Sequence, residues 1–410
     1  MADVGRTEGQ AGPIAQAPPV TTSWSHVLIA IAAGYAVCFQ LGKVPAALPL
    51  IGDEFGLALW QRGAIVSSMS FLTAVTGLFV GIWANRYHAE RVALMALGIA
   101  IVAGLLGAAA QSFVPLLLAR LLEGLGYITA MASLPAIIAK YCAPQDRPLA
   151  MAIWASTVPG GLAVLLLLSP ALIEVGGLGW RGLWIVTALG IAAVASLFFL
   201  RARPIPHNDG PITAQSPWDD LKQAVNLQTL SLVGLFVCYG MQFLAVVSFL
   251  PTMLVEQSGF SLGTAALYSG VVAIGNAIGS VLAGPLIKFG FRRRNIMIAG
   301  YVIMAVAAAT VLTDIAPLWL RLVAGIVFST SGALIPGCVF TYVPELAKRP
   351  SQAPIYAGLF IQGSGTGHIV GPILLGGLVD YFGSWEYAVI MTTTASAVGV
   401  LLAIASQKGR

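Results

Sequence analysis

PLLLARLLEGLGY, residues 115–127, and PLWLRLVAG, residues 317–325, decide how this chain folds. Each sets an arginine inside an apolar run, and Arg120 and Arg321 lie 201 residues apart in a chain of 410. Outward from them, apolar segments recur over 26–51, 62–84, 92–112, 115–139, 149–172, 182–202, 228–254, 262–287, 295–313, 316–342, 354–379 and 386–405. Each is near the roughly 20 residues that an α-helix needs to cross the hydrocarbon of a bilayer. Hydrophobic residues make up 58% of the chain and charged ones 9%, where soluble chains carry about 25% charged residues. Backbone amides in lipid need partners within their own segment or a closed barrel, which excludes open sheets. A barrel would alternate at every second residue, and these runs do not. The expected fold is an all-α membrane protein of twelve transmembrane helices.

The two halves repeat. An offset of 202 brings Gln40 onto Gln242, Pro49 onto Pro251 and Glu54 onto Glu256. Gly81 meets Gly284 and Arg91 meets Arg294, while Arg120, Gly124, Pro135 and Tyr141 meet Arg321, Gly325, Pro336 and Tyr342 at an offset of 201. Arg147 with Arg349 and Gly161 with Gly363 extend the register. Between the halves, Arg201 to Asn226 is the longest polar interruption and holds four prolines. The expected organisation is a disordered cytoplasmic tail over 1–25, a six-helix half over 26–203, a cytoplasmic linker loop over 204–226, a second six-helix half over 227–405 and a short cytoplasmic tail over 406–410. Parallel repeats of this kind hold substrate near the midplane between them.

Charge gives the orientation. With the N-terminus inside, sixteen of the 21 Lys and Arg residues fall in cytoplasmic segments, Arg62 and Arg181 fall outside, and Lys43, Arg120 and Arg321 fall within helices. The basic pI is therefore topological and no nucleic-acid partner is expected. Both termini are expected in the cytoplasm of a multi-pass protein of the bacterial inner membrane. Cys38, Cys142, Cys238 and Cys338 form no CxxC pair and no metal spacing, so neither a metal nor another cofactor is expected.

The residues that carry the repeat also resemble the signature motifs of the major facilitator superfamily, over residues 26 to 405. GIWANRYHAER, residues 81–91, resembles the family's G-x-x-x-D-R-x-G-R-R-R loop, with Asn85, His88 and Ala89 in place of Asp, Gly and Arg. GPLIKFGFRRR, residues 284–294, is a second copy that keeps Gly284, Gly290 and Arg292 to Arg294 and lacks the acid. The resemblance implies a cytoplasmic gating loop at Gly81, Arg86, Arg91, Gly284, Gly290 and Arg292, with its usual acid missing. The stretch at 115–127 matches the family's Arg-x-x-x-Gly-x-Gly pattern, and GSGTGHIVGP, residues 363–372, spaces glycines for close helix approach. SLPAIIAKY followed by RPLAMAIWAS, residues 133–141 and 147–156, is similar to the cyanate and nitroimidazole permease branch.

A cation inside a spanning helix costs roughly 2.5–3.5 kcal/mol on insertion scales, so it faces a cavity, a partner or the aqueous edge. Arg120, Arg321 and Lys43 each stand about 8 Å in from the periplasmic helix ends, at 1.5 Å per residue. They are expected to line the outer part of a central cavity and to bind a carboxylate, with Arg321 the better ligand because Ala324 leaves it no acid on its own helix. The alternatives are neutralisation of Arg120 by Glu123, anchoring of helix ends by either arginine, and snorkelling of Lys43 to the membrane edge. Gln40 and Gln242 contact substrate or bond each other or a neighbouring helix. Tyr127 and Phe328 form an aromatic wall below the arginines or pack in the core. Asn276 is read as a satisfied helix contact. Glu123 and His368 are the candidate proton carriers within the helices.

Three cations against one acid in the helices favour an anionic cargo, and no phosphate-binding loop or hydrolytic constellation is present to support an enzyme or a primary pump. The expected activity is secondary transport of a small organic anion by alternating access, in a monomer whose partners are the lipid bilayer, the small-molecule substrate and a candidate coupling proton. The alternatives are an exporter of hydrophobic drugs and a membrane sensor that binds solute without moving it.

Overall fold

The computed structural model describes residues 21–84, 88–201, 217–347, 349 and 352–406, all helix or connecting turn. The first half comprises α1 (Trp24–Phe55), α2 (Leu59–Ala84), α3 (Ala89–Ala108), α4 (Phe113–Tyr141), α5 (Arg147–Ala155), α6 (Thr157–Pro170) with a π-turn over Ala171–Val175, and α7 (Gly179–Arg201). A short helix, α8 (Pro217–Ala224), precedes the second half. That half comprises α9 (Leu227–Ser258), α10 (Leu262–Lys288), α11 (Arg293–Leu312), α12 (Leu318–Phe340), α13 (Val343–Leu346), α14 (Ala353–Phe382) and, after a 3-10 turn, α15 (Ala388–Ala405). Ten segments are long and apolar enough to cross a membrane by length and composition. With α2 and α14, of 26 and 30 residues, twelve long segments stand in the bundle among the described residues. The tail expected over 1–25 lies outside the described residues up to position 20, as do 202–203 at the end of the first half, 204–216 of the linker and the last four residues. The described end of that linker is helical where a loop was expected.

Local chemistry explains the breaks. α1 and α9 each run 32 residues and stop at glycines in equivalent places, Gly56 (φ 61°) and Gly259 (φ 66°), where a left-handed residue turns the chain and a side chain would be strained. The fifth segment is interrupted: Pro159 cannot donate to the carbonyl of Ala155, and α5 gives way to α6 at Ser156. Pro170 likewise leaves the Leu166 carbonyl without its helical donor, and Ser169 Oγ donates to it instead at 2.9 Å.

The start of α1 and the end of α15 lie on one face of the bundle; the turns at Gly56, Gly177, Gly259 and Gly383 lie on the opposite, far face. The buried apolar residues of the first half divide between two cores. Those toward the far face, such as Leu48, Ile51, Ile65, Leu166 and Trp184, are continuous with the core of the second half. Those toward the termini, such as Val27, Val37, Leu97, Leu134 and Ile138, form a separate core. Hydrophobic packing therefore joins the halves on the far face and in the middle of the bundle, where α2 packs on α14 and α6 on α10.

Candidate functional site

α4 is wedged among its neighbours by the two glycines that follow Arg120. A Cβ at Gly124 would strike the Met69 carbonyl of α2, and one at Gly126 would press the backbone of α3 at Ala96 and Ala100, so the two glycines let α4 approach both helices. One turn before them, Arg120 points into the first half with 1% exposure. Its Nη1 donates to the Gln40 carbonyl of α1 at 3.1 Å, its Nη2 approaches Met69 Sδ at 3.4 Å, and it forms an ion pair with Glu123. Lys43 of α1 donates from Nζ to the other oxygen of the same carboxylate at 2.6 Å. The Lys43 ammonium also lies 4.5 Å from the centre of the Trp184 ring on α7, a cation–π contact. Lys43 and Glu123 are both 0% exposed. Two cations thus share one carboxylate inside the first half, in a setting where an unmatched charge is expensive.

Lys43 and Arg120, expected to line the outer part of a central cavity, both turn their side chains into the six-helix half in this conformation. Lys43 does not snorkel to the edge. The reason is Glu123, whose two oxygens draw both cations inward from α1 and α4. Arg321 is also partnered. Its Nη1 meets Asp314 at 2.5 Å, its Nη2 donates to Gln257 Oε1 at 2.8 Å, and Nε and Nη2 donate to the Val311 carbonyl at 3.2 and 3.1 Å. With Ala324 in the position of Glu123, the guanidinium takes its acid from the α11–α12 turn and ties down the end of α11. The equivalent arginines have therefore diverged.

The two glutamines do not meet. Gln40 donates to the Ala100 carbonyl of α3 at 3.3 Å and its buried Oε1 has no partner, whereas Gln242 donates to the Cys238 carbonyl at 3.1 Å and accepts from Ser396 of α15 at 3.0 Å. Each bonds within its own half in this conformation. Phe328 is fully buried in the core of the second half, and Tyr127 is half-buried against the core of the first. His368 lies 3.4 Å from Ser364 Oγ on its own helix, with α9 passing at Gly240. Asn276 is satisfied between Tyr239 of α9 and the Ser329 carbonyl of α12, at 2.9 and 3.3 Å.

Of the gating-loop residues, Arg86 lies outside the described residues and Gly81 is described only as helix. Arg91 and Arg292 are exposed, a Cβ at Gly284 would meet open space, and Gly290 turns the chain at φ 92°. The termini side carries ion pairs of opposite polarity in the two halves: Glu90 of α3 with Lys140 of α4 at 2.7 Å, and Arg293 of α11 with Glu345 of α13. Sequence reading missed Asp314, Gln257, Trp184 and Ser396 because they come from a turn, the end of α9 and the last helix of each half, none of which carries a motif. It could have found the tryptophans beside the repeat glutamates. Trp180 Nε1 donates to Glu54 at 2.6 Å and Trp385 Nε1 to Glu256 at 3.1 Å, a pairing already implicit in the register of Glu54 with Glu256.

Residues 27–360 and 268–408 match the Major Facilitator Superfamily. The chain is 25% identical over 393 residues to the "Probable sulfoacetate transporter SauU" of Cupriavidus necator, covering 88% of each chain. It is 22% identical over 395 residues to the "Hexuronate transporter" of Bacillus subtilis, covering 89% of this chain and 90% of the other. A solved bacterial homolog of the human lysosomal transporter Spinster, in an inward-facing and unoccupied conformation, superposes with a TM-score of 0.76 at 20% identity, over 96% of this chain and 99% of that one. The repeat, the helical bundle and these matches together make the chain a multi-pass membrane protein that belongs to the Major Facilitator Superfamily.

Proposed function

We propose that this protein is a secondary transporter that carries a small organic anion across the bacterial inner membrane by alternating access. The observation that carries the anionic cargo is the pairing of Lys43 and Arg120 with a single carboxylate, Glu123, in a buried cluster. Two positive charges against one negative leave a positive field in a low-dielectric interior, where it acts further than in water. Sulfoacetate and hexuronates, the compounds in the relatives' names, are organic anions. An arriving carboxylate competes with Glu123 for the cations, and Glu123 then becomes the carrier of a coupling proton. All three side chains are buried in this conformation, so access to them requires α1 and α4 to separate during the cycle. The resemblance to cyanate and nitroimidazole permeases adds a second substrate class to screen.

Uptake into proteoliposomes tests this directly. Sulfoacetate or a hexuronate should accumulate, a neutral sugar should not, and ligands that bind the folded state should raise its melting temperature with concentration. Stabilisation without flux would favour a sensor. Uptake indifferent to substrate charge, with Lys43→Met fully active, would overturn the anion assignment and favour export of apolar compounds.

A further inference from the structure

Two carboxylates at the far face each bond the start of a helix in the opposite half. Asp380, near the end of α14, accepts hydrogen bonds from the backbone amides of Leu59 (3.0 Å) and Trp60 (2.8 Å), the first residues of α2. Glu174, in the π-turn that ends the fifth segment, accepts from the amide of Gly263 (2.7 Å), the second residue of α10. α2 and α10 are the second long helices of their halves, and the carboxylates come from the fifth and eleventh segments, so the repeat relates the two contacts. The first amides of a helix have no intrahelical partner and carry the positive end of its dipole, so an anion is the group that satisfies them. α10 already has a local cap, because Ser261 Oγ accepts from Thr264 at 3.1 Å. The carboxylate from the other half is therefore additional to what that helix needs to form.

The seams around both contacts are built for close approach. A Cβ at Gly63 would strike the Pro372 carbonyl, one at Gly376 the Leu59 carbonyl, and one at Gly263 the Glu174 carboxylate itself. Between the seams, Arg62 of α2 reaches Glu256 of α9 at 3.9 Å and Asp53 at 3.4 Å. We propose that Asp380 and Glu174 form a paired latch that holds the far face shut, and that both release their helix ends when the transport path opens on that face. The latch rests on the alternating-access function proposed above. It deepens that function by naming the groups that set the balance between closed and open far faces.

The test places spin labels at Gln111→Cys and Ile315→Cys, exposed positions in the α3–α4 and α11–α12 turns, with the four native cysteines buried. Distances are measured by double electron–electron resonance in lipid nanodiscs, in protein whose melting temperature has been recorded. Asp380→Ala and Glu174→Ala should each raise the far-face-open population about two- to fivefold, as expected for an exposed carboxylate at a helix start, and the double variant by about the product. Asp380→Glu and Glu174→Asp, which keep the charge, should return the distribution toward wild type. The latch is overturned if the double alanine variant keeps the wild-type distribution, or if the charge-keeping variants behave like the alanine ones. Uptake of sulfoacetate and of a hexuronate by the wild type is measured in parallel, and it separates the two ideas. Unchanged distances beside normal uptake refute the latch alone, whereas responsive distances with no uptake of sulfoacetate or a hexuronate refute the organic-anion cargo and leave the latch standing.

Discussion

Glu123→Gln removes the carboxylate that Lys43 and Arg120 share, and leaves two cations 0% and 1% exposed in the first half. Breaking a buried ion pair by deleting one partner costs about 3–5 kcal/mol, because the remaining charge is stranded. Here one deletion strands two like charges. Arg120 keeps its bond to the Gln40 carbonyl and Lys43 keeps the face of Trp184, which offset part of the loss. The expected destabilisation is about 4 kcal/mol, roughly three powers of ten in the folded-to-unfolded ratio. Lys43→Met acts on the same cluster with the opposite logic. It gives up one charge-assisted bond but removes the excess positive charge and leaves Arg120 and Glu123 balanced, so its stability should stay within about 1–2 kcal/mol of wild type. The double variant, with one stranded cation, should fall between them. Each purified protein would be titrated from mild detergent into sodium dodecyl sulfate, and the fraction still monodisperse after heating would be followed by size exclusion. Were Glu123→Gln as stable as Lys43→Met, the buried cluster would not be charged as its geometry indicates, and the field argued to attract an anion would be absent.

Arg321→Ala should lower the melting temperature through loss of its bonds to Asp314, Gln257 and Val311, worth about 1.5–3 kcal/mol, with Asp314→Ala showing much of the same loss; abolished uptake at unchanged stability would instead make Arg321 a substrate ligand. Gln242→Ala and Ser396→Ala should couple in a double-mutant cycle by about 0.5–1.5 kcal/mol, and additive effects would contradict the bond between α9 and α15. An impermeant thiol reagent added outside intact cells should label Ile315→Cys and spare Val225→Cys, since both side chains are exposed but on opposite faces of the bundle; the reverse pattern would invert the topology.

Much of the architecture was legible because membrane insertion constrains sequence strongly. A helix in lipid needs about 20 apolar residues whatever its neighbours are, so the spans showed in composition, and duplication left Gln40 with Gln242, Glu54 with Glu256 and Arg120 with Arg321 in register. The alternative in which Glu123 neutralises Arg120 was legible too, because residues three apart on a helix are neighbours wherever the helix sits. The helix over Pro217–Ala224 was not, since proline-rich polar sequence reads as loop when nothing shows what it packs on.

The sequence by itself determined the solvent of this protein, the number and length of its apolar segments, their repeat, and the family they resemble. All of these follow from residues close in the chain or from a constant offset between its halves. Which way each buried charge points was decided only by tertiary structure. Lys43 and Glu123 are 80 residues apart, Arg321 takes Gln257 from 64 residues away, and Asp380 bonds Leu59 across 321 residues. Hydrogen bonds and ion pairs act over a few ångströms, and it is the packing of helices that brings such distant residues within that range.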